Sequence, residues 1–425
     1  MPNAIMGVEI LPVSAWMMLP FALLLLAIAV GPFLHRHWWE RYYPHVSIGL
    51  GLFVCGYYAI YLDYHRMLET CVDYFSFIVL IGSLFVAAGG IFLHTERRAT
   101  PLVNTILLTA GALISNLLGT TGASMLLIRP FLRINRSRVR GYHVVFFIFI
   151  VSNMGGALTP IGDPPLFLGY LKGVPFLWTL QKIWPVWLMA LALVLTVFFL
   201  LDTRSYRKWA AGKSHIAKPA RIELRGTQNF FFLFIILAAV FAGTPIREII
   251  MIAAAAAAHL FAKKDALRAN EFTFAPIKEV AILFAGIFAT MVPALDWLAL
   301  NADHIGIRTP GQYYWCSGIL SSFLDNAPTY LNFLSAAMGL HQLTLGNVEH
   351  MKILLSEHAR YLQAISVGAV FFGAITYIGN GPNFMVKSIA EHHGVKCPSF
   401  FGYIVCYSLP VLIPIFAVIW LIFFR

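Results

Sequence analysis

Apolar stretches of about twenty residues recur along the whole chain, separated by short polar breaks. A helix that crosses a bilayer needs about 20 mostly apolar residues. Ten segments read as spans, approximately 13–34, 46–63, 73–94, 142–171, 179–202, 229–243, 246–262, 279–300, 361–391 and 401–423. Two more, 102–133 and 312–339, are apolar but interrupted by Gly, Asn, Ser, Thr or Pro. Each is expected to be a re-entrant helical hairpin that enters the membrane and leaves on the same side. The pattern predicts an all-α polytopic membrane protein with about ten spans and two hairpins. The first apolar run follows a start without Lys or Arg and carries no small-residue cleavage site, so it is expected to be a span rather than a signal peptide.

The distribution of Lys and Arg tests this topology. With the N-terminus outside and both hairpins re-entrant, the inside loops hold 21 basic residues and the outside loops six. That asymmetry is the positive-inside rule. If only the first hairpin crossed fully, every later loop would change side, and the basic stretch 203–228 would lie outside. That stretch, TRSYRKWAAGKSHIAKPARIELRGTQ, is the one long polar break and is expected to be a cytoplasmic basic linker. It divides the chain into a first membrane repeat, 1–202, and a second, 229–425. Each has three spans, a hairpin, a broken span and a last span. Five spans is an odd number, so the second repeat must sit inverted relative to the first.

The two halves also match in sequence. In the hairpins, SNLLGTTGASM (115–125) aligns with SSFLDNAPTYL (321–331). In the broken helices 142–171 and 361–391, GALTPIGDPPLF (156–167) aligns with GAITYIGNGPNF (373–384). The shared residues include helix breakers. Pro160, Gly162, Pro164 and Pro165 cannot continue a helix, and neither can Gly379, Gly381 and Pro382. A break at membrane depth frees amides and carbonyls, tolerated only where protein or a water-filled cavity satisfies them. The two hairpin tips and two breaks are expected to meet near the midplane around a small polar site.

Two carboxylates fall in these motifs, Asp163 and Asp325. An acid at membrane depth usually lines an ion or proton path. Both are candidate proton carriers and ion ligands. Asp163 before Pro-Pro is also a good helix cap, and the two roles are compatible. Thr159, Thr376, Asn380 and Asn383 offer oxygen ligands beside the breaks. Ser115, Asn116, Thr120 and Thr121 do so on the first hairpin, and Ser321, Ser322, Asn326 and Thr329 on the second. A sodium ion is expected at Thr159, Asp163 and Asn380. Any one of these hydroxyls or amides could instead make a helix–helix hydrogen bond.

Composition narrows the rest. The chain is 59% hydrophobic and only 12% charged, about half the usual soluble share. Its net charge of +11 comes from Lys and Arg in short loops, which does not point to nucleic acid. Its 5 cysteines show no zinc or redox spacing, so neither a metal nor a disulfide framework is expected. No P-loop, GxSxG or HExxH occurs, so enzymatic activity and ATP-driven transport by this chain lack support. No cofactor is expected beyond sodium and protons as transported or coupling ions. The expected partners are the lipid bilayer and small ions.

The stretches SNLLGTTGASMLL, NMGGALTPIGDPPLFLGY, SSFLDNAPTYLNF and AITYIGNGPNFMVKSIAE resemble the ion transporter superfamily. That group includes NhaD-type sodium/proton antiporters, citrate carriers, arsenite permeases and sodium–dicarboxylate symporters. The likeness covers nearly the whole chain. The GDPP stretch looks most like the antiporter and citrate-carrier-like branch. The dicarboxylate symporters carry Ser-Asn-Thr at each hairpin, whereas this chain has Ser115-Asn116-Leu117 and Ser321-Ser322-Phe323. The resemblance implies a homodimer, elevator-type motion and residence in a prokaryotic cytoplasmic (inner) membrane. It ranks sodium/proton antiport by alternating access first, cation-coupled uptake of a citrate-like organic anion second, and arsenite efflux third.

The charge asymmetry generates a topology prediction. Residues 129–141 and 203–228 face the cytoplasm and 339–360 the outside, so a cysteine at position 213 stays unlabelled by impermeant reagents in intact cells. Labelling there would reverse the arrangement.

Overall fold

The computed structural model describes residues 12–95, 100–211 and 222–425. Seven of its helices are long and apolar enough to cross a membrane, and Gln228–Ala239 and Ala359–Ile375 are shorter apolar helices. The first part of the chain forms α1 (Leu19–Leu34), α2 (Arg36–Tyr61), α3 (Tyr64–Gly89), β1 (Phe92–Thr95), α4 (Pro101–Ile134), α5 (Gly141–Ile150), α6 (Pro164–Leu171) and α7 (Trp178–Ala210). The second forms β2 (Ile222–Arg225), α8 (Gln228–Ala239), α9 (Ile246–Phe261), α10 (Lys264–Ala269), α11 (Ala275–Leu300), α12 (Pro310–Phe323), α13 (Asn326–Leu340), α14 (Val348–Glu357), α15 (Ala359–Phe372), α16 (Gly381–His392) and α17 (Phe400–Phe424). The chain is an all-α polytopic membrane protein. Side chains such as Leu260 and Phe401, 78% and 75% exposed, present apolar surface that suits acyl chains.

The expected breaks appear as interruptions between helices. Segment 142–171 divides into α5, a short turn Met154–Leu158 and α6, while 361–391 divides into α15, a turn Gly373–Ile375 and α16. Length alone would let α4 cross the bilayer, but its backbone turns at Gly119, where φ is +72° and ψ 156°. Only glycine adopts that region readily. Asn104 and Asn135 exchange side-chain hydrogen bonds of 2.9 and 2.8 Å, although a straight helix would hold them about 46 Å apart. The chain therefore doubles back at Gly119. Helices α12 and α13 fold back similarly across Leu324–Asp325, with the rings of Tyr313 and Phe333 6.2 Å apart. Thr100 and Thr309 cap the opening arms, each followed by proline at the first helical position.

The helices fall into two groups. In one, α2 packs on α11, α3 on α9 and α11, and α8 on α9. The other gathers α4–α7 with α12, α13, α15, α16 and α17. Residues Val144–Val151 are apolar around the full helical turn and fully buried at its centre. The groups meet where α3 lies against α4 and α6, and α11 against α13.

Loop contacts sort into two faces. On one, β1 pairs with β2 in antiparallel register, Phe92 opposite Arg225. There Asn270 donates to the carbonyls of Gly89 and Ile91 at 2.8 and 2.7 Å, and Arg138 reaches Asp202. On the other, Lys172 pairs with Asp73, Arg66 with Asp296 at 3.0 Å, and Tyr170 donates to the Val240 carbonyl at 2.9 Å. These are the same two sets of loops that the charge count separates.

Among the described residues, seven helices rather than the ten expected spans are long and apolar enough to cross, and α2 takes in residues 36–45, expected as a loop. Two further details differ from the sequence reading. Helix α7 runs on to Ala210, into the stretch assigned to the linker from 203, and β2 occupies part of its far end. Residues 212–221 of that linker, with position 213, lie outside the described residues. The reason α7 continues is Asp202. It is fully buried and accepts from Arg138 at 2.5 and 2.9 Å, Tyr142 at 2.7 Å and Asn104 at 2.9 Å. His143 Nε2 lies 3.2 Å away. This network joins both ends of α4 to α5 and α7.

Breaking one side of such a pair leaves a buried charge unmatched. Arg138→Met should cost about 3–5 kcal/mol, read as a large fall in melting temperature of purified protein. Arg138→Met/Asp202→Leu should recover most of it. Equal stability of the wild type and Arg138→Met would show that the pair contributes nothing.

Candidate functional site

The two interruptions solve the same physical problem in the same way. After the first, the Thr159 hydroxyl donates to the Asn116 carbonyl at 2.6 Å and accepts from the Gly162 amide at 3.1 Å. After the second, the Thr376 hydroxyl donates to the Ser322 carbonyl and accepts from the Gly379 amide at 3.0 Å. Asn116 uses its amide on the carbonyls of Ala112 and Gly155, at 3.0 and 2.7 Å, and accepts from the Leu158 amide at 2.9 Å. Asn383 donates to the carbonyls of Gly373 and Thr376 at 2.8 and 2.9 Å. Ser115 donates to Val151 and Ser321 to Ala369, at 2.9 and 2.6 Å. The groups freed at the two interruptions thus find side chains partly on the neighbouring fold-back, Asn116, Ser115 and Ser321, and partly within the interrupted segment itself, Thr159, Thr376 and Asn383. The turns are tight enough to require glycine. A Cβ on Gly162 would stand 2.1 Å from the Gly156 carbonyl oxygen, and one on Gly379 2.7 Å from that of Gly373.

The tips and breaks converge on one carboxylate. Asp163 is fully buried. It accepts from Thr120 Oγ1 at 2.9 Å, Asn326 Nδ2 at 2.5 Å and Asn380 Nδ2 at 3.3 Å. Thr120 lies on the turn of α4, Asn326 opens α13 and Asn380 precedes α16. Thr120 and Asn326 are equivalent positions of the aligned hairpin motifs, and Asp163 and Asn380 are equivalent positions of the aligned breaks. All three donors are neutral. No Lys, Arg or His among the described residues pairs with Asp163.

The two acids have separate jobs. Asp163 stands at the cap position of α6, but its side chain makes no capping bond to the helix amides. The expectation of a cap is met by backbone position only. Asp325 is the one that caps, accepting from the Ala327 amide at 3.0 Å.

The proposed sodium set of Thr159, Asp163 and Asn380 is only partly assembled. Asn380 is at Asp163, but Thr159 is committed to the turn through Asn116 and Gly162. Ser322 and Thr329 donate to carbonyls within their own helices, at 3.0 and 2.9 Å, rather than to the site. Thr121 borders a cavity of about 30 Å³, shared with Thr120, Pro160 and Pro164 and closed by Leu80 and Leu84 of α3.

Three residues escaped the sequence reading. Asn153 donates to Asn383 Oδ1 at 2.7 Å and sits 3.2 Å from Asn380 Nδ2. The Ser152 and Ser124 hydroxyls lie 2.8 Å apart. Asn153 opens the stretch NMGGAL ahead of the first break, which was the available signal. Asn326 carries the site's one loose end, since its buried Oδ1 has no partner among the described residues. A buried polar atom left so calls for an explanation such as an ion or water.

The model of a family described as "Putative citrate transport" matches residues 11–424, and the chain belongs to that family. No curated protein matches it.

The turn chemistry makes a prediction. Thr159→Ala removes the hydroxyl that serves the Asn116 carbonyl and the Gly162 amide, at a cost of about 1–3 kcal/mol. Thr159→Ser should restore most of that. Melting temperatures of the three proteins in detergent check it; equal values for Ala and wild type would refute the role.

Proposed function

We propose that this member of the citrate transport family is a secondary active transporter that moves a citrate-like carboxylate anion, coupled to a cation bound at Asp163. The observation that carries the proposal is the meeting of four chain segments on one buried carboxylate with neutral donors only. A buried charge is normally paired. Here the missing partner is a proton or a hard cation, which favours oxygen ligands. Asp163 and the unpartnered Asn326 Oδ1 supply such oxygens, in place of the Thr159 hydroxyl. Membership of the family supports the organic anion as cargo.

The architecture of the proposal is two inverted-topology repeats, 1–202 and 229–425, each with a re-entrant hairpin and a broken helix. The matching contacts of Thr159 with Thr376 and of Ser115 with Ser321 support it. So does the pairing of Asp163 with its counterpart Asn380. In an inverted pair, equivalent positions face each other across the pseudo-axis, and a site there can open to either side in turn.

Sodium/proton exchange without an organic substrate is the second reading. The cavity of about 30 Å³ beside Thr120 favours it, being large enough for an ion or a water and too small for citrate. Both readings place the cation at Asp163, and they differ in cargo.

The experiment is citrate uptake into proteoliposomes, driven by a sodium or proton gradient. The wild type should accumulate citrate only with a cation gradient. Asp163→Asn keeps the size of the side chain but removes its charge. Charge-assisted hydrogen bonds contribute about 1.5–3 kcal/mol, so uptake should fall about 10- to 100-fold in a protein that still inserts and elutes as a single species. Wild-type uptake by Asp163→Asn would remove Asp163 from coupling. Cation exchange without citrate uptake would favour the second reading.

A further inference from the structure

A second cavity, of about 480 Å³, lies on the face that carries Lys172. Its polar walls are Asp73 and Ser76 of α3, Tyr170 of α6, and Thr244 and Arg247 at the start of α9. The same two helices, α3 and α6, border the small cavity beside Thr120, through Leu80 and Leu84 on one and Pro164 and Phe167 on the other. The two cavities therefore lie along one seam. Phe167 stands between them, with the Arg247 guanidinium 5.9 Å from its ring centroid.

Arg247 is 6% exposed and firmly held. Its Nε donates to Glu248 Oε1 at 2.9 Å. Its Nη2 donates to Glu248 Oε1 at 2.7 Å, Thr244 at 2.9 Å and Ser76 at 3.1 Å. Nη1 donates to no described residue. A buried guanidinium thus keeps two N–H groups unspent in a cavity whose wall it forms. Lys172, which stands between the lining residues Leu171 and Gly173, pairs with the lining Asp73, with side chains 14% and 21% exposed. The pair keeps some contact with water, and an arriving carboxylate that takes the place of Asp73 leaves the ammonium paired. The volume lies within the range of small-ligand pockets, about 300–1,000 Å³.

We infer that this cavity is a docking site for a small di- or tricarboxylate, bound by Arg247 Nη1 and Lys172, with Asp73 holding the ammonium until the anion displaces it. The site supplies the cations that the hairpins and breaks lack, at the end of a seam leading to Asp163. The inference rests on the transporter reading above and adds where the anion first binds.

A carboxylate that competes with the ligand gives its two ion-pair partners opposite effects. The measurement is the apparent KM for citrate presented to the Lys172 face, in proteoliposomes of known orientation, for wild type, Lys172→Gln, Lys172→Arg and Asp73→Asn. Lys172→Gln should raise KM and Asp73→Asn lower it, each by about two- to fivefold, and Lys172→Arg should stay near wild type. A structural latch between α3 and the turn after α6 would instead shift both single variants in the same direction. That result, or no shift in either, overturns the docking site while leaving wild-type citrate uptake and its dependence on Asp163 intact. Absence of citrate uptake by the wild type would overturn the transport reading and this inference together. All four proteins are checked for insertion and a single elution peak, and the partial exposure of both side chains makes folding failure a poor explanation for a changed KM.

Discussion

A helix interrupted inside an apolar body must provide a partner for every amide and carbonyl that the interruption frees. Much of the structure around Asp163 answers that constraint. The two interruptions could have been filled by water, but Asn116, Thr159, Thr376 and Asn383 take the freed groups instead. Asn116 reaches the first interruption from its fold-back, while Thr159 and Thr376 reach back to the fold-back carbonyls of Asn116 and Ser322, so each interruption is tied to its fold-back from both sides. Gly156 against Gly162 and Gly373 against Gly379 allow the backbone to cross itself at distances that no side chain permits.

With the backbone satisfied internally, the side chains at the centre are available for chemistry. Thr120 and Asn326 point their donors at Asp163, and Asn380 divides its amide between the Ser152 carbonyl at 3.1 Å and Asp163 at 3.3 Å. The site is polar yet carries no built-in cation, and that arrangement suits a carboxylate whose partner arrives from solution. A permanent Lys or Arg there would neutralise Asp163 and remove any reason for a transported cation to bind. The cations of the protein sit at the periphery instead. Arg138 with Asp202 ties the arms of α4 to α5 and α7, Arg66 with Asp296 ties α3 to α11, and Arg247 with Glu248 lies beside the large cavity.

The seam between α3 and α6 joins the two helix groups, and both cavities lie along it. Its two cavities differ in kind. One is bordered by a guanidinium, a carboxylate and hydroxyls, and the other by prolines, leucines and the α4 turn. An anion and a small cation would meet different surroundings along the same path. Relative movement of the helix groups would change the width of this seam more readily than it would change the interdigitated α12–α15 or α2–α11 contacts, which lie within one group each.

The sequence alone did not determine how many helices are long enough to span, seven rather than ten among the described residues, but it did determine the membrane class, the location of the apolar segments and the two breaks. Each depends on local composition: apolar length sets a span, and Pro or Gly in an apolar run sets a break. It also identified Asp163, Thr120, Asn326 and Asn380 as site candidates, because polar residues beside helix breakers are rare in apolar runs. Only the tertiary structure decided how those candidates divide. Thr159 and Asp163 stand four positions apart in one motif, yet one clamps a turn and the other faces the centre. Asp163 and Asp325 both precede helices, yet only Asp325 caps one. The distinction depends on what lies across the gap from each side chain, and those neighbours come from segments up to 217 positions away. The same reason hid Asp202 and Arg247. Each reads in sequence as one more charge at the end of an apolar run, and only the packing of α4, α5 and α7, or of α3 and α9, shows that it is buried and what it holds.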